Sequence, residues 1–383
     1  MPLTQVPPAL LTATTGTGST VVLSASPTFT GTVTTPSVTF SDASLQTAAA
    51  SPYVLKNRII NGDMRIDQRN AGASVTANDG IFGADRFKFS MTQSSKGTGQ
   101  QSTTAPTGFV NSLLFTSSSA YSVVASDQFA IVQNIEGLNV SDLGWGTANA
   151  QTITLSFWVR SSLTGTFGGS LQNSAANRSY PFTYTITTAN TWEKETITIT
   201  GDTSGTWLTT NGIGIRVYIG LGMGSTFSGT AGAWAASNFQ SATGATSVVG
   251  TNGATFYITG VQLEQNTTAT PFERRLYNQE LANCQRYYIG DGTTYYSQGA
   301  VDSAYSTEGM FISLPTQMRT DPTVVAYNWN KVGHIGGSNT SNPADNLVSA
   351  SATSLLLRWS SASAGYRAYG YAGSITPYLS AEL

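Results

Sequence analysis

Strict alternation of apolar and polar residues predicts β-strands between residues 57 and 272. The clearest segment runs from Thr152 to Arg160, where every second side chain is apolar from Ile153 onward. Six further segments alternate in the same way, at 86–91, 129–135, 182–186, 197–199, 213–219 and 255–263. In the last of these the alternation changes phase at Gly260, which predicts a β-bulge. Seven such strands without a helical period between them predict a two-sheet antiparallel sandwich of jelly-roll type.

Three other stretches differ from this domain in pattern. Residues 1–56 are uncharged apart from Asp42 and Lys56 and hold too few large apolar side chains for a core. We expect an extended arm that attaches to a partner and intertwines with neighbouring chains, the alternative being a flexible linker. Residues 273–289 concentrate charge and helix-favouring side chains, which predicts a short linker helix. Residues 290–383 return to short apolar runs between Gly- and Asn-rich loops, which predicts a smaller C-terminal β-sandwich.

Composition narrows the classes of function. Only 10% of the 383 residues are charged and the net charge is −2, so there is no basic surplus to hold nucleic acid. The single Cys and the single His exclude an internal disulfide and a Cys/His zinc site. No apolar run reaches the ~20 residues that span a bilayer, so we expect no membrane insertion. The first residues show neither a basic n-region nor an apolar h-region, so we expect no secretory signal peptide.

Catalytic motifs are sparse. The sequence has no P-loop and no G-x-G-x-x-G, and its one histidine, His334, has no carboxylate motif beside it. Cys284 lies in the predicted helix among bulky residues, as a buried packing thiol would. Glycoside hydrolysis needs only two facing carboxylates, but no acidic cluster and no 20–30-residue repeat point to it. We therefore predict a protein that is not an enzyme and has no organic cofactor, with a glycan depolymerase as the remote alternative.

The two ends of the larger domain suggest one metal site. Asp63 lies where the domain opens and Glu264 where it closes. The first and last strands of a sandwich often lie side by side, which would bring these carboxylates together. Carboxylate oxygens are ligands that suit a structural Ca²⁺. The alternative is that both are ordinary turn residues.

Aromatic side chains near Gly-, Ser- and Thr-rich loops are the candidates for ligand binding. Saccharides are held by aromatic ring faces flanked by amide and hydroxyl groups, and recognition concentrates on loops of a rigid scaffold. The candidates for glycan or receptor contact are Trp207, Trp234, Trp329, Tyr366 and Tyr369. The alternative for each of them is a place in a core or in a subunit interface.

Several segments resemble motifs of fibre proteins from tailed bacteriophages. N-R-I-I-N-G-D-M at 57–64 is similar to their N-x-(I/L)-(I/L)-N-G-(D/G)-(F/M), and A-D-R-F at 84–87 resembles their A-D-R-W with Phe in place of Trp. V-Q-L-E at 261–264, followed by A-T-P-F-E at 269–273, resembles their closing strand. L-A-N-C-Q-R-Y-Y at 281–288 resembles their L-x-x-C-Q-R-Y-(Y/F) helix. The combination is specific, although most of the intervening sequence is unmatched.

The resemblance implies a homotrimeric tail fibre, a virion protein whose fold is related to carbohydrate-binding jelly rolls. It implies that residues 1–56 dock to the phage tail, the baseplate or an adaptor protein. It also implies that a tip at 290–383 contacts a glycan or receptor on the host surface. Two alternatives stay open. One is a purely structural virion protein (a spacer, head fibre, collar or adaptor) without receptor binding, and the other is a secreted bacterial adhesin.

Overall fold

The computed structural model divides the chain into two compact units, Met1–Val54 and Leu55–Leu383, and each is described by itself. The described residues are 38–39, 45–46, 56–290, 295–299, 307–334, 347–360 and 371–383. In the first unit, strands β1 (Val38–Thr39) and β2 (Leu45–Gln46) pair antiparallel. Apart from Lys56, the rest of the predicted arm lies outside the described residues.

Residues 56–272 form a strand-rich domain. Its strands are β3 Val75–Thr76, β4 Phe82–Ala84, β5 Phe87–Met91, β6 Gly97–Ser102, β7 Ser112–Ser117, β8 Gln128–Glu136, β9 Ile153–Ser161, β10 Gly165–Gln172, β11 Ser179–Ile186, β12 Glu193–Ile199, β13 Ile213–Met223, β14 Ser228–Gly229, β15 Ser241–Ala242 and β16 Thr255–Glu264. Two short 3-10 turns, Gly137–Asn139 and Ser141–Leu143, follow β8. All seven strands predicted from alternation are present.

Twelve of these strands form two antiparallel sheets of six. The first sheet has the order β11-β10-β13-β8-β5-β4, and the second has the order β12-β9-β16-β7-β6-β3. The alternating apolar positions of both sheets meet in one core. Phe89, Phe157 and Phe256 are 0% exposed there. Removal of such rings from water is the main favourable term in folding, so the alternation itself selects this packing. The predicted antiparallel sandwich of jelly-roll type is confirmed.

Gly260 forms the predicted bulge. The register between β16 and β9 shifts between Thr259 and Gln262, and Gly260 has a φ of +61°. A side chain there would be disfavoured by the backbone, and a Cβ atom would lie 2.7 Å from Phe109 Cζ and 3.1 Å from Trp158 Cδ1. The glycine therefore lets two aromatic side chains lie directly over the strand.

The predicted linker contains one helix, α1 (Tyr277–Gln285), which is shorter than the predicted segment 273–289. Its inner face packs on the start of the larger domain, where Ile60, Ile66, Cys284 and Tyr287 form a second small core. Cys284 is 0% exposed, and burial raises the pKa of its thiol well above the usual value. The interpretation of this cysteine as a packing side chain is confirmed.

The C-terminal region adds two antiparallel sheets. Its strands are β17 Tyr288–Ile289, β18 Tyr295–Gly299, β19 Thr307–Ser313, β20 Thr323–His334, β21 Leu347–Ala350, β22 Ser354–Ser360 and β23 Tyr371–Ser380. One sheet joins β17, β18 and β20 to β23, and the other has the order β19-β22-β21. Residues 361–370, which precede β23, lie outside the described residues. In the ranges described here, no helix is long and apolar enough to cross a membrane.

Candidate functional site: a tryptophan cluster on three loops

Three loops of the larger domain bring together Trp145, Trp207 and Trp234. Trp145 follows the second 3-10 turn, Trp207 lies between β12 and β13, and Trp234 lies between β14 and β15. The first two loops are joined by a hydrogen bond from Gly146 N–H to the Asp202 carbonyl at 2.7 Å. Trp207 and Trp234 are two of the glycan candidates predicted from the sequence, and the structure places them in contact.

The tryptophan cluster has a fixed edge-to-face geometry. The ring centroids of Trp145 lie 4.8 Å from Trp207 and 5.3 Å from Trp234, and those of Trp207 and Trp234 lie 5.4 Å apart. Tyr180 of β11 extends the cluster, with its ring centroid 5.1 Å from that of Trp234. Edge-to-face pairs add to the free energy of simple burial. The rings therefore hold one another in place.

Every indole N–H of the cluster donates to a backbone carbonyl. Trp145 donates to Gln151 at 2.8 Å, Trp207 to Ser204 at 3.1 Å and Trp234 to Thr200 at 2.7 Å. Trp145 is 8% exposed and closes the end of the core, whereas the other two indoles are half-buried. What the cluster presents to solvent is therefore apolar ring surface in a preset orientation.

An ion pair between half-buried Arg178 and buried Asp202 forms the polar border of the cluster. Arg178 donates to Asp202 through Nε at 2.7 Å and through Nη2 at 2.6 Å. These hydrogen bonds raise the pKa of Arg178, so the guanidinium stays charged. Asp202 also accepts from Ser204 N–H at 3.0 Å, in the loop that carries Trp207. Charge-assisted bidentate pairs are geometrically specific, so this border is as rigid as the rings.

Sequence reasoning did not select Trp145, Tyr180, Arg178 or Asp202. Tyr180 continues the inward alternation of β11, and that signal was available. Trp145 stands between two glycines outside any alternating segment, and Arg178 and Asp202 are 24 residues apart. Only the folded loops bring these residues together.

The other glycan candidates lie in the C-terminal region. Trp329 belongs to β20, and its backbone pairs with Ile375 of β23. Tyr366 and Tyr369 lie outside the described residues. The assignment of these three residues to receptor contact stays a prediction from the sequence.

The two carboxylates suggested for Ca²⁺ have separate protein partners. Asp63 pairs with Arg65 Nε at 2.5 Å, while Glu264 accepts from Thr270 N–H at 2.8 Å and from its hydroxyl at 2.7 Å. Burial raises the pKa of Asp63, which Arg65 partly offsets. Within the ranges described above, no group of three or more His, Cys, Asp or Glu side chains could hold a metal ion. Calcium binding at Asp63 and Glu264 stays a prediction.

Comparison with known proteins gives remote structural similarities. No protein-family model matches the chain, and no curated protein matches it. The enzymatically active domain of bacteriophage CBA120 tailspike protein 4 is similar at 12% identity and a TM-score of 0.31. That match covers 56% of this chain and 22% of the tailspike chain, so this chain spans about a fifth of it.

Two sugar-binding structures are similar at the same level. A putative sugar binding protein from Bacteroides thetaiotaomicron has 11% identity and a TM-score of 0.31, covering 55% of this chain and 100% of that one. A family 11 carbohydrate-binding module from Clostridium thermocellum, in complex with a mixed-linked tetrasaccharide, has 11% identity and a TM-score of 0.26, covering 51% and 98%. At these TM-scores the similarity carries no functional information, and the fold assignment rests on the two sheets described above.

Proposed function

We propose that this chain is a non-enzymatic attachment fibre of a tailed bacteriophage, and that its larger domain binds a saccharide of the host surface. The observation that carries the proposal is the pair of half-buried tryptophans, Trp207 and Trp234, held rigidly on neighbouring loops. Apolar ring faces beside fixed polar groups suit a saccharide, whose rings present C–H faces and hydroxyl edges. Preorganised rings lose little conformational entropy on binding.

The phage assignment is supported by the resemblance of the motifs at 57–64, 84–87 and 261–288. A purely structural virion role is the second candidate, and one observation favours it: all three indole N–H groups of the cluster are already bonded to the protein. In that case the cluster only closes the end of the core.

Replacement of both Trp207 and Trp234 by alanine is expected to weaken saccharide binding at least about thirtyfold, because truncation of buried aromatic anchors costs 2 kcal/mol or more. Binding of the full-length protein to an array of bacterial surface polysaccharides, followed by titration of each bound polysaccharide, measures this. Tyr277→Ala is the matched control, since this ring is 52% exposed on α1, outside the cluster. Trp329→Ala in the same assay tests the C-terminal region. A folded wild type that binds no polysaccharide would favour the structural role.

Removal of residues 1–56 is expected to leave a soluble protein that no longer joins phage tails. The reason is that Met1–Val54 forms a unit of its own, while Leu55–Leu383 contains both sandwich sheets. Co-sedimentation with tails measures attachment, and light scattering reports the oligomeric state of both forms. If the truncated protein still joins tails, the docking role of the arm is wrong.

A further inference from the structure

A second set of aromatic side chains lies on the outer face of the second sheet, away from the sandwich core. We call these residues the aromatic strip, and all five are half-buried. They are Phe109, Trp158, Trp192, Tyr257 and Phe272. The tryptophan cluster and the strip share no residue, so any activity of the strip is a separate property.

The strand register places the strip outside the core. Phe157 and Val159 of β9 are 0% exposed and point inward. Trp158 and Arg160 alternate with them along the strand, so their side chains point outward. Arg160 lies opposite Tyr257 of β16 in the register, and Trp158 lies opposite Thr259. Trp158 and Tyr257 are therefore diagonal neighbours on one face, within reach of each other's rings.

The rings form two contacting pairs, and Trp158 lies between them. Trp192 contacts Tyr257 with ring centroids 6.0 Å apart. The bulge at Gly260 brings Trp158 and Phe109 over the same point of β16. Phe109 then contacts Phe272 at 5.2 Å. Apolar rings gathered on one solvent-facing side of a sheet are typical of a binding surface.

The strip carries cations that have no acidic partner. The Arg160 guanidinium lies 4.9 Å from the Tyr257 ring centroid and that of Arg274 lies 4.8 Å from the Phe109 ring centroid. Lys194 lies opposite Trp158 and is exposed. None of these three cations forms a salt bridge with a described residue.

The acidic side chains near the strip are buried or hydrogen-bonded to other groups. Glu193 accepts hydrogen bonds from the backbone N–H groups of Thr187 and Thr188. Glu273 accepts from the backbone N–H of Asn57 at 2.8 Å, and Glu264 is 2% exposed. The face of the strip is therefore positive although the chain as a whole carries a net charge of −2.

We propose that the aromatic strip binds an acidic polysaccharide, with sugar rings on the aromatic faces and sugar carboxylates on Arg160, Lys194 and Arg274. Both chemistries are on the same face, in a line, and a chain of uronic acid residues presents both of them in alternation. A two-fold dimer through this face is a poorer occupant, because it would place these cations against themselves.

The test is titration of the full-length protein with oligogalacturonate, alginate and hyaluronan at low and at high salt. Neutral galactan and dextran are the uncharged controls. At least one acidic chain is expected to bind, at least about tenfold more tightly than the neutral ones, and to weaken as salt screens the cations. Trp158→Ala and the double variant Arg160→Gln/Arg274→Gln are each expected to weaken it at least about tenfold, by analogy with aromatic and Arg anchors. Tyr277→Ala, at a ring that is 52% exposed on α1 outside the strip, is expected to leave it unchanged.

The proposal is overturned by no binding of any acidic chain, by equal binding of neutral chains or by no effect of the strip variants. Equal binding of single-stranded DNA, which also stacks on aromatic rings beside cations, would overturn it too. A change of oligomeric state in Trp158→Ala would identify the strip as a subunit interface instead. Loss of acidic binding on Trp207→Ala/Trp234→Ala would place the site at the tryptophan cluster. The two proposals therefore fail separately. Melting temperatures confirm that each variant is folded.

Discussion

Replacement of Glu136 by alanine is expected to lower the free energy of unfolding by about 2–4 kcal/mol, because it leaves a half-buried guanidinium and a buried phenol without their acceptor. Glu136 ends β8 and is 1% exposed. It accepts from Arg286 through Nε at 2.9 Å and Nη2 at 2.6 Å, and from the Tyr287 hydroxyl at 2.6 Å. Burial raises its pKa, but these hydrogen bonds outweigh burial and hold the pKa below its usual value.

Chemical denaturation measures this loss of unfolding free energy, and two further variants serve for comparison. Glu136→Gln keeps an acceptor and the side-chain volume, so a smaller loss is expected. Asp142→Ala removes an ion pair with Arg58 in which the Asp142 side chain is 46% exposed, and a change below about 1 kcal/mol is expected. If Glu136→Ala lies as close to the wild type as Asp142→Ala, the pair does not stabilise the junction between β8 and α1.

The contacts around Glu136 involve residues of the motifs at 84–87 and 281–288. Arg86 of A-D-R-F places its guanidinium 3.5 Å from the ring centroid of Tyr287 in C-Q-R-Y-Y, and it pairs with Glu382. Arg319 donates to the carbonyls of Ala381 and Glu382. The motif residues thus connect the larger domain, α1 and the C-terminal region. Arg86 and Tyr287 lie in buried structural contacts, whereas Phe272 of A-T-P-F-E belongs to the aromatic strip.

Strand prediction succeeded where large side chains fill every inward position. β5 alternates Phe87, Phe89 and Met91 inward, and β9 does the same from Ile153 to Val159. A period of two is enough to assign such a strand, because burial of one face requires it. The β-bulge at Gly260 was predictable for the same reason, because apolar residues alternate on both sides of it.

Other strands were not predictable, because their inward positions are glycines. In β6, a Cβ on Gly97 would lie 2.3 Å from Phe115 Cζ, and one on Gly99 would lie 2.1 Å from Phe89 Cζ. In β10, a Cβ on Gly169 would lie 2.5 Å from Phe182 Cζ. The missing side chains make room for aromatic rings of other strands. The apolar side chains that fill these inward positions therefore come from distant parts of the sequence, and β6 and β10 themselves show little alternation. The candidate site was partly predictable for a similar reason: composition identified Trp207 and Trp234, but their neighbours come from distant loops.

The stability of the protein is expected to fall by about 3 kcal/mol between pH 4 and pH 7 through Asp85 alone. Asp85 is 1% exposed, and burial raises its pKa from 3.8 to about 6, although Arg69 and Gln68 lower it. Between these values the folded protein keeps a proton that the unfolded chain has lost. The contribution of Asp85 is therefore fully present below about pH 4 and is lost as the pH rises through 6, at 1.36 kcal/mol per pKa unit.

The measurement is the free energy of unfolding against pH for the wild type, Asp85→Asn and Asp127→Asn. Asparagine cannot ionise, so the stability of Asp85→Asn relative to the wild type is expected to rise by about 3 kcal/mol from pH 4 to pH 7. Asp127 is the matched control. Burial raises its pKa, but hydrogen bonds from Val124 N–H and the Tyr121 hydroxyl outweigh burial and lower it. Asp127→Asn should therefore run parallel to the wild type down to about pH 4 and diverge only below it. Parallel profiles for Asp85→Asn and the wild type would show that Asp85 is ionised in the folded protein throughout this range, and that its contacts with Arg69 and Gln68 outweigh its burial.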